Sequence, residues 1–445
     1  MTAPQRIAVF CVFSSITATT YADDTDLRQQ LTQLKQQMAS IEARLNAQNS
    51  TSENQQASDT SVKPSQQQSP LALETETTVE PAPLTTIAEE PKQEGIQFGG
   101  AIRTNYSYTS YDEGNKSRNG DFDFDIFRLN LSGEIDDILL GGEIRFFDYM
   151  TAVKYAWVGY EFMPDWQIKA GITPVQFGNK AYNSHNYFFS TNYYLGLEDD
   201  HDLGILISRQ IKDNWQLDLG FYKNDELGGV DGYVDDRTDR YSYDVVGLRQ
   251  TSDGIFDDPN QPIGEYNTSA GRVAYHMKHG VINTEIGASG LIGGLHDGTR
   301  RVGDYDAWAV HLNSSYDRWN FQLQHSQYQY DVDGIQRMAV GAYGFYDSIS
   351  AQAKSTTANI AYNLPVRLGP ITDLQFYNNY GRVYDKSDRT ADTIMNVTGV
   401  SVSAGKFFSY VDWVHARNQP FVGGSASGDS HQSEQRFNIN LGYYF

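Results

Sequence analysis

Apolar and polar residues alternate with a period of two from Ile96 to the end of the chain, as in strands whose two faces meet different surroundings. The last strand shows this most clearly, because Phe437, Ile439, Leu441, Tyr443 and Phe445 alternate with Asn438, Asn440, Gly442 and Tyr444. Segments of about ten residues with one apolar and one polar face are typical of transmembrane β-barrels. A single strand of this kind also fits a soluble sandwich, so the interpretation depends on how many strands there are and what joins them.

The connections between these strands alternate between short turns and other, mostly longer loops. The short turns lie at 136–139, 163–165, 212–214, 277–280, 317–318, 365–371 and 404–406. The other connections lie at 109–121, 148–151, 173–202, 224–266, 292–305, 331–356, 385–393 and 419–434. Fifteen connections predict an all-β fold, a sixteen-stranded antiparallel transmembrane barrel over 96–445 whose two ends lie on the same side. This count places the strand-like segment 244–250 inside loop 224–266, and an eighteen-stranded barrel is the alternative.

The N-terminal segment has the features of an export signal. Arg6 is followed by the short apolar run 7–16, and Thr20 and Ala22 place small residues where cleavage needs them. We therefore expect a signal peptide at 1–22. Cys11 is the only cysteine, so the mature chain would have no thiol for a disulfide, a zinc thiolate or a catalytic cysteine.

A heptad pattern follows the predicted cleavage site. Its apolar residues are spaced four and three apart over about three heptads: Leu27, Leu31, Leu34, Met38, Ile41 and Leu45. Because such a narrow stripe cannot be buried by one helix alone, we expect a coiled coil at 23–49 that holds several copies together. The alternative is a lone amphipathic helix that lies on the barrel or the membrane. Residues 50–95, rich in Ser, Thr, Gln, Glu and Pro, are predicted to be a disordered linker.

Composition and charge narrow the possible partners. The chain has a net charge of −22, which argues against a nucleic-acid partner because phosphates would be repelled. It has no run of about 20 apolar residues, as a membrane-spanning helix would need. Its 30 Tyr and 6 Trp fit the girdles of aromatic rings that barrels place at both membrane interfaces.

The third outer loop, 173–202, is the best candidate for a constriction. A loop this aromatic is expected to fold against the inner wall and narrow the lumen, and its candidate residues are Lys180, Tyr182, His185, Tyr187, Asp199 and Asp200. The functional interpretation is that ring faces stack on pyranose rings while carboxylates bind hydroxyl groups. The alternative is that the aromatic residues only pack the loop onto the wall or a subunit interface.

Strand parity places charges of both signs on the lumen face. The candidates are Arg103, Arg128, Arg145 and Arg272 together with Glu134, Glu143 and Asp218. Because selectivity follows the charges that line a pore, such a mixed lining does not predict strong anion selection.

No cofactor or metal site is predicted. The runs 198–202 and 121–125 could offer oxygen ligands to Ca²⁺, but neither has EF-hand spacing, and solvated acidic loops are the favoured interpretation. Ser184–His185 and Ser430–His431 are adjacent pairs, which is not a triad, so a barrel enzyme is a remote alternative.

Several pieces, in their order along the chain, suggest a family: AWVGY at 156–160, GITPVQFG at 171–178, DLGI at 202–205, GVSVSAG at 399–405, Asp412 and RNQP at 417–420. Over roughly 96–445 the sequence resembles the phosphate-selective porin O/P family. The resemblance implies a trimeric sixteen-stranded channel in the outer membrane of a Gram-negative cell, with the third outer loop in the pore. A coiled coil and linker before the barrel are similar to the dicarboxylate porins of this group.

The sequence departs from the phosphate-selective type in its charge. That type implies a ladder of lumen arginines and a lysine cluster, whereas residues 96–445 carry a net charge of −16. We therefore expect passive diffusion of small hydrophilic solutes, leaning to carbohydrates or other neutral solutes, with a phosphate or dicarboxylate channel as the alternative. The expected partners are the lipid bilayer, two further copies of the chain and, through a periplasmic N-terminal helix, peptidoglycan.

Overall fold

The computed structural model describes residues 95–212, 214–250 and 252–445. The predicted signal peptide at 1–22, coiled coil at 23–49 and nearly all of the linker at 50–95 lie outside the described residues and stay predictions. Among the residues described, no helix is both long and apolar enough to cross a membrane.

Twenty strands and one short α-helix, α1 (Glu113–Ser117), occur in the described residues. The strands are β1 (Gly95–Thr109), β2 (Asp121–Ile135), β3 (Ile138–Phe146), β4 (Thr151–Met163), β5 (Trp166–Pro174), β6 (His201–Ile211), β7 (Trp215–Asp225), β8 (Asp244–Arg249), β9 (Gln261–Pro262), β10 (Gly264–His279), β11 (Ile282–His296), β12 (Arg301–Tyr316), β13 (Trp319–Asp331), β14 (Arg337–Ala342), β15 (Phe345–Ser350), β16 (Gln352–Leu368), β17 (Ile371–Tyr384), β18 (Thr393–Ala404), β19 (Phe407–Arg417) and β20 (Glu434–Tyr444).

Sixteen of these described strands form one closed antiparallel barrel, as the connections predicted. The wall omits β8, β9, β14 and β15, and β20 closes it by pairing with β1. The seven short turns occur where the sequence placed them; at the first, Asp136 and Asp137 both adopt positive φ angles, as a two-residue type I′ hairpin requires. The eighteen-stranded alternative is wrong, because 244–249 forms β8 inside the loop between β7 and β10.

The two faces of the wall differ in polarity. Outward side chains are apolar and exposed, for example Phe98 and Leu323, whereas Gln324, Asn438 and Asn440 on the other face are at most 1% exposed. An apolar outer belt around a polar interior is the arrangement of a barrel that crosses an outer membrane.

Two long loops on the outer side build a second small sheet, which we call the loop sheet. It has the order β15–β14–β8–β9, so residues from loops 226–263 and 332–351 pair with each other. The sequence predicts 331–356 only as a connection between two barrel strands, so β14 and β15 were not expected. Their residues are mostly buried without alternation, so no period of two marks them.

The loop sheet depends on a buried arginine. The Arg240 guanidinium, 1% exposed, lies 2.5 Å from Asp244, 2.9 Å from Asp225 and 3.5 Å from Glu226. Replacing Arg240 with Met leaves Glu226 and Asp244 buried without an arginine partner, while Asp225 keeps Arg237. Removing one partner of a buried ion pair typically costs about 3–5 kcal/mol. Hydrogen exchange should therefore show that the free energy of opening β8 and β14 falls by about this amount.

A matched control for this change is Arg301→Met, because Arg301 pairs with Asp304 on the exposed surface. Surface substitutions of this kind usually change stability by less than about 0.5 kcal/mol. Equal exchange rates of β8 in the two variants would contradict a structural role for Arg240.

Candidate functional site

The segment 175–200 between β5 and β6, which we call the constriction loop, lies against the inner face of the barrel. The Gly178 amide donates to the Ser289 hydroxyl on β11 (2.9 Å), and the Asn179 amide donates to Gln324 Oε1 on β13 (2.8 Å). Further along, Asn183 Nδ2 donates to the Thr357 hydroxyl on β16 (2.8 Å). The loop therefore crosses the lumen face of several consecutive strands, where the sequence predicted a constriction.

Glu198 holds the constriction loop in its folded form. Its carboxylate accepts the backbone N–H of Asn183 (2.9 Å) and of Ser190 (3.2 Å), as well as the Ser190 hydroxyl. Burial raises the pKa of Glu198 to about 7 against these hydrogen bonds. One protonatable carboxyl group therefore links Asn183 and Ser190 within the constriction loop.

The aromatic residues of the loop fall into two groups. Phe188, Tyr193 and Tyr194 are at most 4% exposed. Tyr193 packs against Tyr241, Tyr243 and Tyr343, which flank the strands of the loop sheet, and Tyr194 packs against Tyr243. Tyr193 and Tyr194 thus pack the loop in place, but against outer-loop residues rather than the wall or subunit interface of the alternative interpretation. Tyr182 is 37% exposed and is the loop ring that remains open for contact with a solute.

Cations on the first strands are paired with carboxylates. Arg103 Nε lies 2.8 Å from Asp125, and Glu143 lies 2.6 Å from Arg145 and 3.7 Å from Arg128. Lys154 Nζ lies 2.6 Å from Asp199 of the constriction loop. This set, the first charge cluster, also includes Tyr187, whose hydroxyl donates to Asp125 (2.9 Å), and the Tyr182 ring near Lys154.

Two β-bulges supply members of the first charge cluster. In β2, Ile126 faces Arg103 and Phe124 faces Thr104, which leaves Asp125 without an opposite residue. In β4, the same irregularity leaves Lys154 extra between Val153 and Tyr155. Bulges re-aim side chains in this way, so both charged groups point towards the constriction loop.

The pKa of Asp199 stays below its usual value although its burial opposes ionisation. The nearby Lys154 ammonium and hydrogen bonds from Lys154 and Tyr241 stabilise its charged form. The loop carboxylate is therefore charged at neutral pH and neutralises Lys154.

A second charge cluster lies beside β7, β10 and β11. Arg272 Nη2 lies 2.5 Å from Glu285, its Nη1 lies 4.0 Å from Asp218, and Lys180 Nζ lies 3.6 Å from the same Asp218. The Arg272 Nε also donates to the carbonyl of Gly178 (2.9 Å), so this cluster fastens the start of the constriction loop.

Between the first charge cluster and the aromatic residues lies a cavity of about 270 Å³. Its lining combines guanidinium, carboxylate and ring surfaces, from Arg103, Asp123, Asp125, Arg145, Tyr149, Tyr187, Phe188, Phe421 and Arg436 among others. Tyr149 and Phe421 are exposed ring faces in this lining. The cavity can therefore offer both hydrogen bonds and stacking surface to a solute.

The residues that the sequence predicted for the constriction and the lumen lie at four separate places in the structure. Arg103, Arg128, Glu143, Arg145, Tyr182, Tyr187 and Asp199 meet in the first charge cluster, and Lys180, Asp218 and Arg272 meet in the second. His185 lies apart: its ring contacts Asn320 (2.6 Å) and Asn379 (2.9 Å), rather than a serine and a carboxylate. Asp200 lies with Asp202 and Asp244 on the outer side of the loop's end.

Five residues of the site were not predicted from the sequence as pore residues: Asp125, Lys154, Tyr241, Glu285 and Arg436. A signal existed for Lys154, since a lone charge within the apolar strand TAVKYAWV must face away from lipid. For Tyr241 there was no local signal, because its place under Arg145 and Lys154 depends on how a distant loop folds.

Ion selectivity should depend on pH through Lys180. Burial lowers its pKa to about 8, with Asp218 acting in the opposite direction, so Lys180 is charged below pH 8 and neutral above it. Raising the pH from about 6 to about 9.5 should therefore move the reversal potential in a KCl gradient towards cation preference. Lys180→Met should show a clearly smaller shift, because only other groups such as Glu198, with its pKa of about 7, still titrate in this range. A shift as large as in the wild type would contradict the assignment.

Comparison with known proteins gives likenesses to solved outer-membrane porins. OmpT, an outer membrane protein of Vibrio cholerae, is similar with 12% identity and a TM-score of 0.48, over 79% of this chain and 99% of that one. An anion-selective porin from Comamonas acidovorans has 11% identity and a TM-score of 0.48, over 79% and 100%. The outer membrane channel DcaP of Acinetobacter baumannii has 12% identity and a TM-score of 0.48, over 79% and 97%.

No family model matches the chain, and no curated protein matches it. The phosphate-selective O/P family thus stays a prediction. At identities of 11–12% the assignment of a closed sixteen-stranded barrel in residues 95–445 rests on the strand pairing itself.

Proposed function

We propose that the protein is an outer-membrane porin through which small hydrophilic solutes diffuse passively, with the constriction loop setting the narrowest section. The observation that carries this proposal is the constriction loop itself, hydrogen-bonded across the polar inner face of a closed barrel. A wet lumen with a loop folded into it controls the size and charge of what passes and needs no reaction chemistry.

Neutral polar solutes of the carbohydrate class suit this lumen best. The cations beside the loop are matched by carboxylates within 2.8 Å in three cases, Arg103, Arg145 and Lys154, so their fields largely cancel. The inner face itself is built largely from buried amides, including Gln322, Asn438 and Asn440, which add no net charge to the lumen. Tyr182, Tyr149 and Phe421 add exposed ring faces on which a pyranose can stack.

A second candidate, a channel for phosphate or dicarboxylates, is favoured by Arg436. In the described part of the chain Arg436 has no carboxylate within 4 Å; it donates to the carbonyl of Phe421 (3.1 Å) and weakly to Asn438. It lines the same cavity as Arg103 and Arg145, so an anion entering there would meet three guanidinium groups.

Proteoliposome swelling and current block separate these candidates. The proposal expects swelling rates that fall with increasing sugar size, and block of the KCl current by maltotriose but not by phosphate or succinate. Block by phosphate or succinate alone would favour the anion channel, and no swelling in any solute would contradict a porin. Tyr182→Ala should weaken the maltotriose block, whereas Tyr233→Ala, a fully exposed outer-loop tyrosine, should leave it unchanged.

The heptad segment 23–49 supports a further part of the proposal: three chains assemble, and the helices extend into the periplasm towards peptidoglycan. Deleting 23–95 should then keep conductance and lower the temperature at which the oligomer dissociates. Loss of conductance in that variant would instead identify the segment as a plug or gate. Hydrolysis of a lipid or peptide by the purified protein would revive the remote enzyme alternative.

A further inference from the structure

Six carboxylates meet where the constriction loop ends against β6, β7, β10 and the loop sheet. This acid cluster consists of Asp200, Asp202, Asp225, Glu226, Asp244 and Glu265. Five of the six side chains are buried, and Glu265 is half-buried. Buried charges normally require partners, so the cations available to this cluster decide its chemistry.

Two guanidinium groups contact only three of the six carboxylates, Asp225, Glu226 and Asp244. Arg237 and Arg240 both bind Asp225, and Arg240 also reaches Glu226 and Asp244. Within the described residues, Asp200, Asp202 and Glu265 have no Lys, Arg or His within 4 Å. Glu265 receives the Tyr330 hydroxyl (3.1 Å), and Asp200 Oδ1 receives the His201 amide (2.7 Å). Two positive groups thus face six carboxylates.

Three carboxylate oxygens of the acid cluster lack a hydrogen-bond partner among the described residues, namely Asp202 Oδ1 and both oxygens of Glu226. Glu226 at least has Arg240 3.5 Å away, whereas Asp202 has no ion-pair partner in this part of the chain. Asp202 is 2% exposed, and its Oδ1 has no donor among the described residues. Leaving a buried acceptor unsatisfied costs about 1–3 kcal/mol, and more when the group is charged. An oxygen in this position requires either a proton or a bound cation.

The space beside these oxygens fits a single small ion. Asp200, Asp202 and Glu265 line a narrow, partly open void of about 10 Å³, together with Tyr305 and Tyr330, whereas Asp244 does not belong to this lining. Oxygens of Asp200, Asp202 and Asp244 all lie within 4.8 Å of one another. Since Ca²⁺ binds oxygen ligands at about 2.3–2.6 Å, two oxygens on opposite sides of one ion lie up to about 5 Å apart.

We propose that Asp200, Asp202 and Asp244 bind one Ca²⁺ ion per chain, with Glu265 as a further oxygen donor. The ion neutralises Asp200 and Asp202, which the arginines do not reach, and shares Asp244 with Arg240. It joins three elements: Asp200 ends the constriction loop, Asp202 belongs to β6, and Asp244 begins β8 of the loop sheet. The ion would therefore fasten the loop that narrows the lumen to the sheet above it.

Binding is measured on the purified full-length protein in detergent at pH 7, after treatment with a chelator. Equilibrium dialysis against about 1 mM CaCl₂ should give one bound ion per chain, within the range in which extracellular Ca²⁺ modules are filled. Tb³⁺ should give luminescence on excitation of tyrosine, since Tyr305 and Tyr330 line the void, and CaCl₂ should displace it. No saturable binding by the wild-type protein would overturn the proposal and leave protons as the neutralising groups.

Variants locate the ion. Asp202→Asn and Asp244→Asn should each weaken Ca²⁺ binding at least about tenfold, since losing even an outer-shell partner of a metal ligand typically costs about 10–100-fold in affinity. Asp385→Asn, which removes an exposed carboxylate paired with Lys354, is the matched control and should bind like the wild type. Equal affinity in folded Asp202→Asn protein would overturn the site, and the wild-type stoichiometry tests it even if the variants do not fold. None of these readouts requires the protein to be a channel.

Discussion

Replacing residues 180–197 with a Gly-Ser linker is expected to raise single-channel conductance several-fold and abolish block by maltotriose. The wall is held by continuous strand pairing that does not involve this segment, whereas the segment itself lies across the lumen face. A linker of about ten residues spans up to about 33 Å, so it can bridge the gap without straining β5 or β6. The measurement is the conductance step in planar bilayers.

The matched control replaces residues 112–118, the segment around α1 that is mostly exposed apart from Asn115, with a linker of the same composition. That change leaves the constriction loop intact, so conductance and block should match the wild type. A conductance unchanged by the 180–197 replacement would contradict the placement of this loop at the narrowest section.

The second large effect concerns the paired charges. Glu143→Gln combined with Asp199→Asn is expected to turn a nearly non-selective pore into an anion-selective one, because Arg145 and Lys154 lose the carboxylates 2.6 Å away. Two uncompensated cations at a narrow section attract Cl⁻ and repel K⁺. The reversal potential in a KCl gradient measures this shift directly.

Two comparisons make this result interpretable. Glu113→Gln with Asp385→Asn removes the same number of charges from exposed outer loops and should leave the reversal potential unchanged. The double variant Lys154→Met with Asp199→Asn removes one cation together with its paired anion. Its reversal potential should therefore equal that of the wild type. Selectivity that follows the exposed charges rather than the paired ones would contradict the assignment of the first charge cluster.

The barrel itself could be predicted because the alternation of apolar and polar residues is visible within the sequence of each strand. A lipid-facing and a water-facing side impose a period of two, and Asp136–Asp137 at a turn interrupts it at a definite place. The loop sheet could not be predicted in the same way. Residues 337–350 are mostly buried, so they lack alternation, and their partner β8 lies more than eighty residues earlier.

The candidate site was partly predictable for a related reason. Parity placed Arg145 and Glu143 on the lumen face, where they form an ion pair. Asp125 and Lys154 became members of the same cluster through β-bulges, which shift parity by one residue without a mark in the sequence. The pairing of Lys154 with Asp199 depends on how the constriction loop folds back, a long-range contact that no local pattern specifies.

Single-channel recording of the purified full-length protein in planar bilayers under a KCl gradient tests the central claim most directly. A water-filled pore narrowed by a charge-paired loop predicts stepwise ohmic openings, grouped in threes, with a reversal potential near zero. Folded protein that gives no openings would contradict the claim that this barrel is an open porin.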